Sequence, residues 1–194
     1  MSDPMIRSAL EAEADRCFAV MTVAFSGDPV VRWAWPDQQR YLEAFPRFSR
    51  AFGGGAVGTA SAHVAADFAG VALWLPPDTA PDEAAIQAIL EETMTGELKD
   101  SMFAMFEQMD RYHPKERHWY LPLIGVDPVS QGRGHGSALL RHALAECDRQ
   151  HLPAYLEATS PRNVHLYARH GFVVSGTIQS GSSPPLTPML RTPR

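Results

Sequence analysis

Three alternate glycines, Gly132, Gly134 and Gly136, stand between an apolar run ending at Val126 and an amphipathic stretch with Leu139, Leu140, Ala143, Leu144 and Cys147 on one face. Residues without a Cβ let a bulky anion come close to the backbone. A helix starting there aims its free first-turn N–H groups, and the positive end of its dipole, at the same point. By residue type, therefore, Gln131, Gly132, Arg133, Gly134, His135, Gly136 and Ser137 form a phosphate cradle. A P-loop would close on Lys followed by Ser or Thr, which this segment lacks. The dinucleotide fingerprint spaces its glycines Gly-x-Gly-x-x-Gly near the start of a strand–helix–strand array, whereas here they run Gly-x-Gly-x-Gly, two thirds of the way along. Glu157 does fall about where that fingerprint's ribose-binding acid would. The bland alternative is a Gly-rich turn without a ligand, although each glycine near a helix start weakens the helix by about 1 kcal/mol. No His-Glu-x-x-His or paired-Cys pattern exists, so no metal is expected.

Gln131-x-x-Gly134-x-Gly136 after a strand resembles the acyl-CoA signature of the GNAT superfamily of N-acyltransferases, and Asn163-x-x-Leu166-Tyr167-x-x-x-Gly171-Phe172 is similar to the motif that follows it there. More narrowly, His113-Pro114-Lys115-Glu116, Trp119-Tyr120-Leu121, Pro153-Ala154-Tyr155-Leu156-Glu157 and Pro161-Arg162-Asn163 resemble the branch around puromycin N-acetyltransferase. With Ala24-Phe25 and Asp28-Pro29 the likeness covers most of the chain, strongly from Trp119 to Phe172 and weakly over 26–110. It implies an α/β GNAT fold: a mixed, mostly antiparallel twisted sheet of six to seven strands, splayed between the fourth and fifth, with helices on both faces. It also implies acetyl-CoA (coenzyme A) as co-substrate and direct transfer to an amine, without a covalent enzyme intermediate.

The same resemblance gives the residues their parts. The cradle would hold the pyrophosphate, backbone groups of Ile124, Gly125 and Val126 the pantetheine arm, and Asn163 the cofactor arm. The Val126 N–H would meet the thioester oxygen, and Tyr167 would protonate the departing thiolate. Tyr167 can also be read as a core aromatic and Asn163 as a helix cap; their four-residue spacing puts both on one face. Glu157 reads as a base, as an orienter of the ammonium group, or as a partner of Arg162. His118, by residue type able to accept a proton, is the second candidate base. Asp28, Trp33, Trp35 and Tyr41, an acid among aromatics, suit an amine on a flat or apolar body, or a packed loop. Phe103, beside Met102 and Phe106, reads as core or as an apolar pocket wall.

The elements that must position these groups follow from periodicity. Helices are predicted over 11–25 and 41–52, the second kinked or split at Pro46. Strands over 57–67 and 70–75 form a hairpin, and helices return over 82–94 and 98–112. Strand 118–126, helix 137–151 and strand 153–158 make a parallel unit. A short helix over 163–170, a strand over 172–178 and an edge strand over 187–190 complete one domain spanning 1–194.

Composition bounds the rest. A net charge of −5 argues against a domain that wraps a nucleic-acid backbone. Cys17 and Cys147 both sit in helical apolar patterns, which suggests free thiols and a cytoplasmic setting. Asp3 and Arg7 fall where a leader would begin its apolar run, and His63, Asp67 and Pro76 interrupt the low-polarity stretch 51–77, so no membrane association is expected. The expected partner is a small-molecule amine, and the expected assembly a monomer or homodimer. The rival functions are acetylation of a protein or peptide amine, a non-catalytic acyl-CoA sensor, and a nucleotide-dependent oxidoreductase.

Overall fold

The strand–helix–strand unit around the glycines forms the middle of the fold in the computed structural model, which describes residues 4–194; Asp3 lies outside the described residues. The strands are β1 (Ile6–Ser8), β2 (Ala62–Ala65), β3 (Gly70–Leu75), β4 (Trp119–Val126), β5 (Ala154–Ala158), β6 (Val173–Val174) and β7 (Thr187–Arg191). The helices are α1 (Ala14–Ala24), α2 (Pro29–Ala34), α3 (Gln38–Gly53), α4 (Gly55–Gly58), α5 (Glu83–Thr93), α6 (Gly96–Tyr112), α7 (His135–Arg149) and α8 (Pro161–Arg169). The strands join in one sheet ordered β1-β2-β3-β4-β5-β7-β6. Every named pairing is antiparallel except β4 with β5, which α7 connects.

Helix starts obey local chemistry. Asp28, Asp37 and Asp82 each accept backbone N–H groups as N-caps of α2, α3 and α5, a device that typically contributes about 1 kcal/mol per helix. The sheet is covered on both faces. Val71, Leu73, Leu75, Tyr120 and Tyr155 pack with the side chains of α1, α3 and α5. Ala72, Trp74, Trp119, Leu121, Leu156 and Ala158 pack with Leu139, Leu140 and Leu144 of α7 and with Tyr167 of α8. Cys17 and Cys147 are buried free thiols, their pKa values pushed up by burial to about 11 and about 12.

β4 parts from β5 almost at once. Their register holds only at Trp119–Ala154 and Tyr120–Tyr155. On the other side, Leu73 pairs with Leu123 but Leu75 pairs with Tyr120, so two residues of β3 span three of β4. The extra residue falls around Leu121-Pro122, where proline has no N–H to give to a ladder. A bulge bends its strand, and here it turns β4 away from β5. Tyr120 and Leu123 consequently face the same side of the sheet although they lie three residues apart.

Four expectations need correction. α3 runs unbroken through Pro46, so of the two expected alternatives the pair of shorter helices does not form. The first strand of the hairpin starts only at Ala62, because the run Gly53-Gly54-Gly55 opens another helical turn, α4, and Ala60 takes a positive φ of 55°. The strand expected over 172–178 shrinks to Val173–Val174 plus a bridge from Ile178 to Leu186. The terminal strand is not at the edge: β7 lies between β5 and β6. β7 pairs along its length with β5 on one side and with Val173–Val174 on the other, and its buried Arg191 guanidinium meets both carboxylate oxygens of Asp148 on α7 at 2.8 Å.

Candidate active site

After β4 the Asp127 carboxylate accepts the Val129 N–H at 3.0 Å and closes a single 3₁₀ turn. Gly132 and Gly134 then adopt φ of +76° and +85°, a region costly to residues with a Cβ. Gly134 caps α7 without any side-chain cap, and the first bond of the helix runs from the Ala138 N–H to the Gly134 carbonyl at 2.9 Å. The N–H groups of His135, Gly136 and Ser137 therefore have no acceptor in their own helix. A Cβ on Gly132 or Gly134 would meet nothing within 4 Å, and on Gly136 only ordinary contacts at 3.7 Å. His135 Nδ1 is buried with no partner. Free N–H groups, an open backbone and an orphaned ring nitrogen fit a phosphate-bearing ligand. Gln131 braces the loop, with Nε2 on the Val126 carbonyl at 3.3 Å and Oε1 at 3.5 Å from Arg162. Arg133 is exposed. The Ser137 hydroxyl already meets His170 Nε2 at 2.6 Å and Arg141 at 3.2 Å, so only its backbone N–H remains for a ligand.

Backbone direction settles what the end of β4 offers. The Asp127 N–H donates to the Ala69 carbonyl at 3.0 Å, on the β3 side. Because N–H groups alternate sides along a strand, those of Val126 and Ile124 point to the other side, into the gap left by β5. Gly125 has a separate duty: a Cβ there would lie 2.7 Å from that of Ala24 and 3.1 Å from Met21 Sδ. Its absence lets α1 close on β4. Sequence reading missed this role, and a lone glycine in a strand was the available signal.

Glu157 shares the Tyr155 face of β5. The Tyr120 hydroxyl donates to its Oε2 at 2.8 Å, while Oε1 and the Tyr155 hydroxyl are both buried without a hydrogen-bond partner. Burial raises the Glu157 pKa to about 7; Tyr120 and Tyr155 favour its charged form but do not offset that. Arg162 braces Gln131 instead, and no ion pair joins it to Glu157. Tyr120, held against this carboxyl, has its own pKa pushed well up, chiefly by burial.

Tyr167 is buried on α8, its pKa raised by desolvation and further by the Asp28 carboxylate, so its hydroxyl stays protonated. Ser160, not Asn163, caps α8: its hydroxyl accepts the Asn163 N–H at 3.4 Å, and Pro161 opens the helix. That leaves the Asn163 carboxamide unbonded among the described residues, on the face it shares with Tyr167. Asp28 caps α2 through Oδ1 and accepts the Thr159 hydroxyl through Oδ2, so both oxygens are already used; burial raises its pKa. Tyr167→Phe should lower kcat about a hundredfold while KM for acetyl-CoA stays within threefold, as steady-state kinetics would show. An unchanged kcat would remove Tyr167 from the proton-donor role.

On the Glu157 side lies a cavity of about 660 Å³ between the β3–α5 connection, α5, α6 and residues 113–118. Phe103, Phe106 and Phe52 line it together with His113, His118, Tyr120 and Glu157. His118 and His113 join Nε2 to Nε2 at 3.0 Å, and burial lowers the His113 pKa to about 4. The aromatic residues expected to hold the amine do not border this cavity. Trp35 and Tyr41 are each 3% exposed, in the core with Phe45. Trp33 bonds Ser182 at 3.2 Å and likewise does not border the cavity. Phe52 and His113 belong to the aromatic lining that it does have. Among the described residues no three His, Cys, Asp or Glu side chains gather as a metal-binding group.

The profile of the acetyltransferase (GNAT) family matches residues 17–172, and the chain belongs to that family. An uncharacterised N-acetyltransferase of the fission yeast Schizosaccharomyces pombe is 30% identical over 142 residues, 66% of this chain and 58% of that protein. The matched region thus spans little more than half of that relative's length. Among solved structures, a Corynebacterium glutamicum protein described as histone acetyltransferase HPA2 and related acetyltransferase is 28% identical with a TM-score of 0.70, covering 100% of this chain and 98% of its own. Arylalkylamine N-acetyltransferase 2 of Aedes aegypti is 13% identical with a TM-score of 0.69, covering 100% of both chains, and shares the fold.

Proposed function

We propose that this N-acetyltransferase moves an acetyl group from acetyl-CoA to the primary amine of a small molecule, by direct attack with both bound together. The observation that carries this reading is the gap between β4 and β5. It lies between an anion cradle after β4 and a half-orphaned carboxyl that lines a cavity. Acetyl-CoA supplies the activated acyl group when bound; Gln131 to Ser137 would hold its pyrophosphate and Asn163 its arm. In the cavity Glu157 orients the ammonium group and takes one proton from it. The Val126 N–H, aimed into the gap, supports the negative charge that grows on the carbonyl oxygen. Tyr167 donates its proton to the departing sulfur and regains one from the second N–H that the nitrogen loses as the amide forms, so the ammonium gives up two protons, one kept by Glu157 and one passed on to the thiol.

A protein amine is the second reading, favoured by the description of the C. glutamicum relative. A cavity of about 660 Å³ ending on a buried carboxyl suits a small molecule better than a chain lying across a surface. The narrower kinship with the puromycin branch rests on the motifs at 113–116, 119–121, 153–157 and 161–163, and adds an aminonucleoside to the acceptors to try. Thiol release from acetyl-CoA with aminonucleosides, simple amines and peptides tests the reading. Small amines should turn over and peptides should not. Tight CoA binding without turnover on any amine would make the protein a sensor instead.

A further inference from the structure

We propose that Tyr120 is a positioning residue for the transfer, holding the Glu157 carboxylate ready to take the amine proton; this rests on the acetyl-transfer reading above. The Tyr120 hydroxyl donates to Glu157 Oε2 at 2.8 Å, while Oε1 has no partner. Among the described residues this is the one side-chain hydrogen bond that the carboxyl receives. A glutamate side chain turns about several bonds, and fixing it in one arrangement costs conformational freedom. A partner that fixes Oε2 beforehand removes that cost from the reacting complex.

The bulge in β4 brings the hydroxyl there. Strict alternation counted back from Leu123 would put Leu121 on the side of α1, α3 and α5 and turn Tyr120 towards α7. The extra residue reverses this: Trp119 and Leu121 pack with α7, and Tyr120 lies with Leu75 and Tyr155 on the other face. Tyr120 pairs with Tyr155 at the last rung before β4 and β5 part, and Glu157 stands two residues farther along β5 on the same face. The phenol therefore reaches across the start of the gap to the carboxyl. Its ring is wedged against His113 at 4.8 Å and 80°, Tyr155 at 5.9 Å and 31°, and Phe52 at 6.1 Å and 89°.

A hydroxyl that donates to a carboxylate stabilises the charged form, so Tyr120 works against the burial that raises the Glu157 pKa. Removing the hydroxyl favours the protonated form and raises that pKa further. The other groups around the carboxyl are engaged or distant in effect. The Tyr155 hydroxyl, on the same face of β5, forms no hydrogen bond. His113 and His118 bond each other, and burial keeps His113 neutral near pH 7. Arg117 with Asp78 and Lys115 with Asp110 form exposed ion pairs, and Glu83 and Glu116 are exposed at the rim, so solvent screens them. On β7, Arg191 is paired with Asp148, and at the start of α2, Asp28 is tied to Thr159 and to its own cap.

The test follows the Glu157 carboxyl in two ways: by the pH–rate profile of thiol release, and by its carboxyl carbon resonance in isotope-labelled protein, assigned with Glu157→Gln. In Tyr120→Phe both midpoints should move up by about one pH unit. Turnover should fall about fivefold at pH 7 and return to within about threefold of wild type at pH 9, with KM for acetyl-CoA changed by less than about twofold. Tyr155→Phe should move the midpoints less than about half as far. Tyr120→Leu serves if the Phe variant does not fold. Midpoints that stay in place while turnover falls equally at every pH would make Tyr120 a packing residue and overturn the proposal. A shift in Tyr155→Phe as large as that in Tyr120→Phe would also overturn it. Release of no thiol by the wild type with any amine would overturn acetyl transfer itself, and the resonance would still decide whether Tyr120 governs the carboxyl.

Discussion

Glu157→Gln is expected to lower kcat about a thousandfold and to abolish the rising limb of the pH–rate profile near pH 7. Among the described residues that line the cavity, this carboxyl alone has a buried oxygen without a hydrogen-bond partner. Burial raises its pKa to about 7, so the carboxylate that can take a proton predominates above that pH. Glutamine keeps the shape and can still accept the Tyr120 hydroxyl, so the lost activity would report the base and not the packing. The same substitution should stabilise the protein. A group whose folded pKa lies above its unfolded value contributes stability that is fully present below the unfolded value, 4.5, and is lost as pH rises through about 7. At pH 8 the native protein holds a carboxylate in a desolvated site, at a cost of up to about 3 kcal/mol. Thermal unfolding at pH 8 should place the Gln variant several degrees higher, with the gap closing by pH 4.5. A pH–rate limb that survives Glu157→Gln and disappears in His118→Gln would transfer the base to His118.

Where the sequence was legible, the signals were local. The alternate glycines marked a bare-backbone loop ahead of a helix, and Gly134 starts α7 at a positive φ that glycine takes at little cost. Strand, helix and strand around it followed from apolar period alone. The departures have tertiary causes. Trp35, Tyr41 and Phe45 stack into a core, while Phe52 and Phe106, in stripes of the same composition, wall a cavity. Nothing in a helical stripe marks which turn is left uncovered by its neighbours. Pro46 read as a kink or a division into two helices, and α3 carries it without division. The bulge at Pro122 shows only in how β3 and β4 pair, and it turns two aligned strands into a gap. The order of β6 and β7 likewise shows only in the pairing, with β7 meeting β5 on one side and β6 on the other.

Gly134→Val is expected to abolish binding of acetyl-CoA, with Kd raised at least a hundredfold by calorimetry, while the sheet core persists by circular dichroism. Two effects act together, and they can be separated. At φ +85° a β-branched residue strains the backbone by at least about 1–2 kcal/mol, which would disturb the start of α7. A side chain there also enters space that no protein atom occupies within 4 Å, in front of the N–H groups of His135, Gly136 and Ser137. Gly134→Asn isolates the second effect, because asparagine visits the left-handed region at little cost. If the cradle works by close approach of phosphate to bare backbone, the Asn variant should unfold at the wild-type temperature and still bind acetyl-CoA at least tenfold more weakly. Normal binding by Gly134→Asn would mean that backbone shape alone is required and that the open space in front of α7 is not where the anion sits. Normal binding by Gly134→Val as well would take the pyrophosphate away from this loop, and with it the assignment of Gln131 to Ser137 as the cofactor cradle.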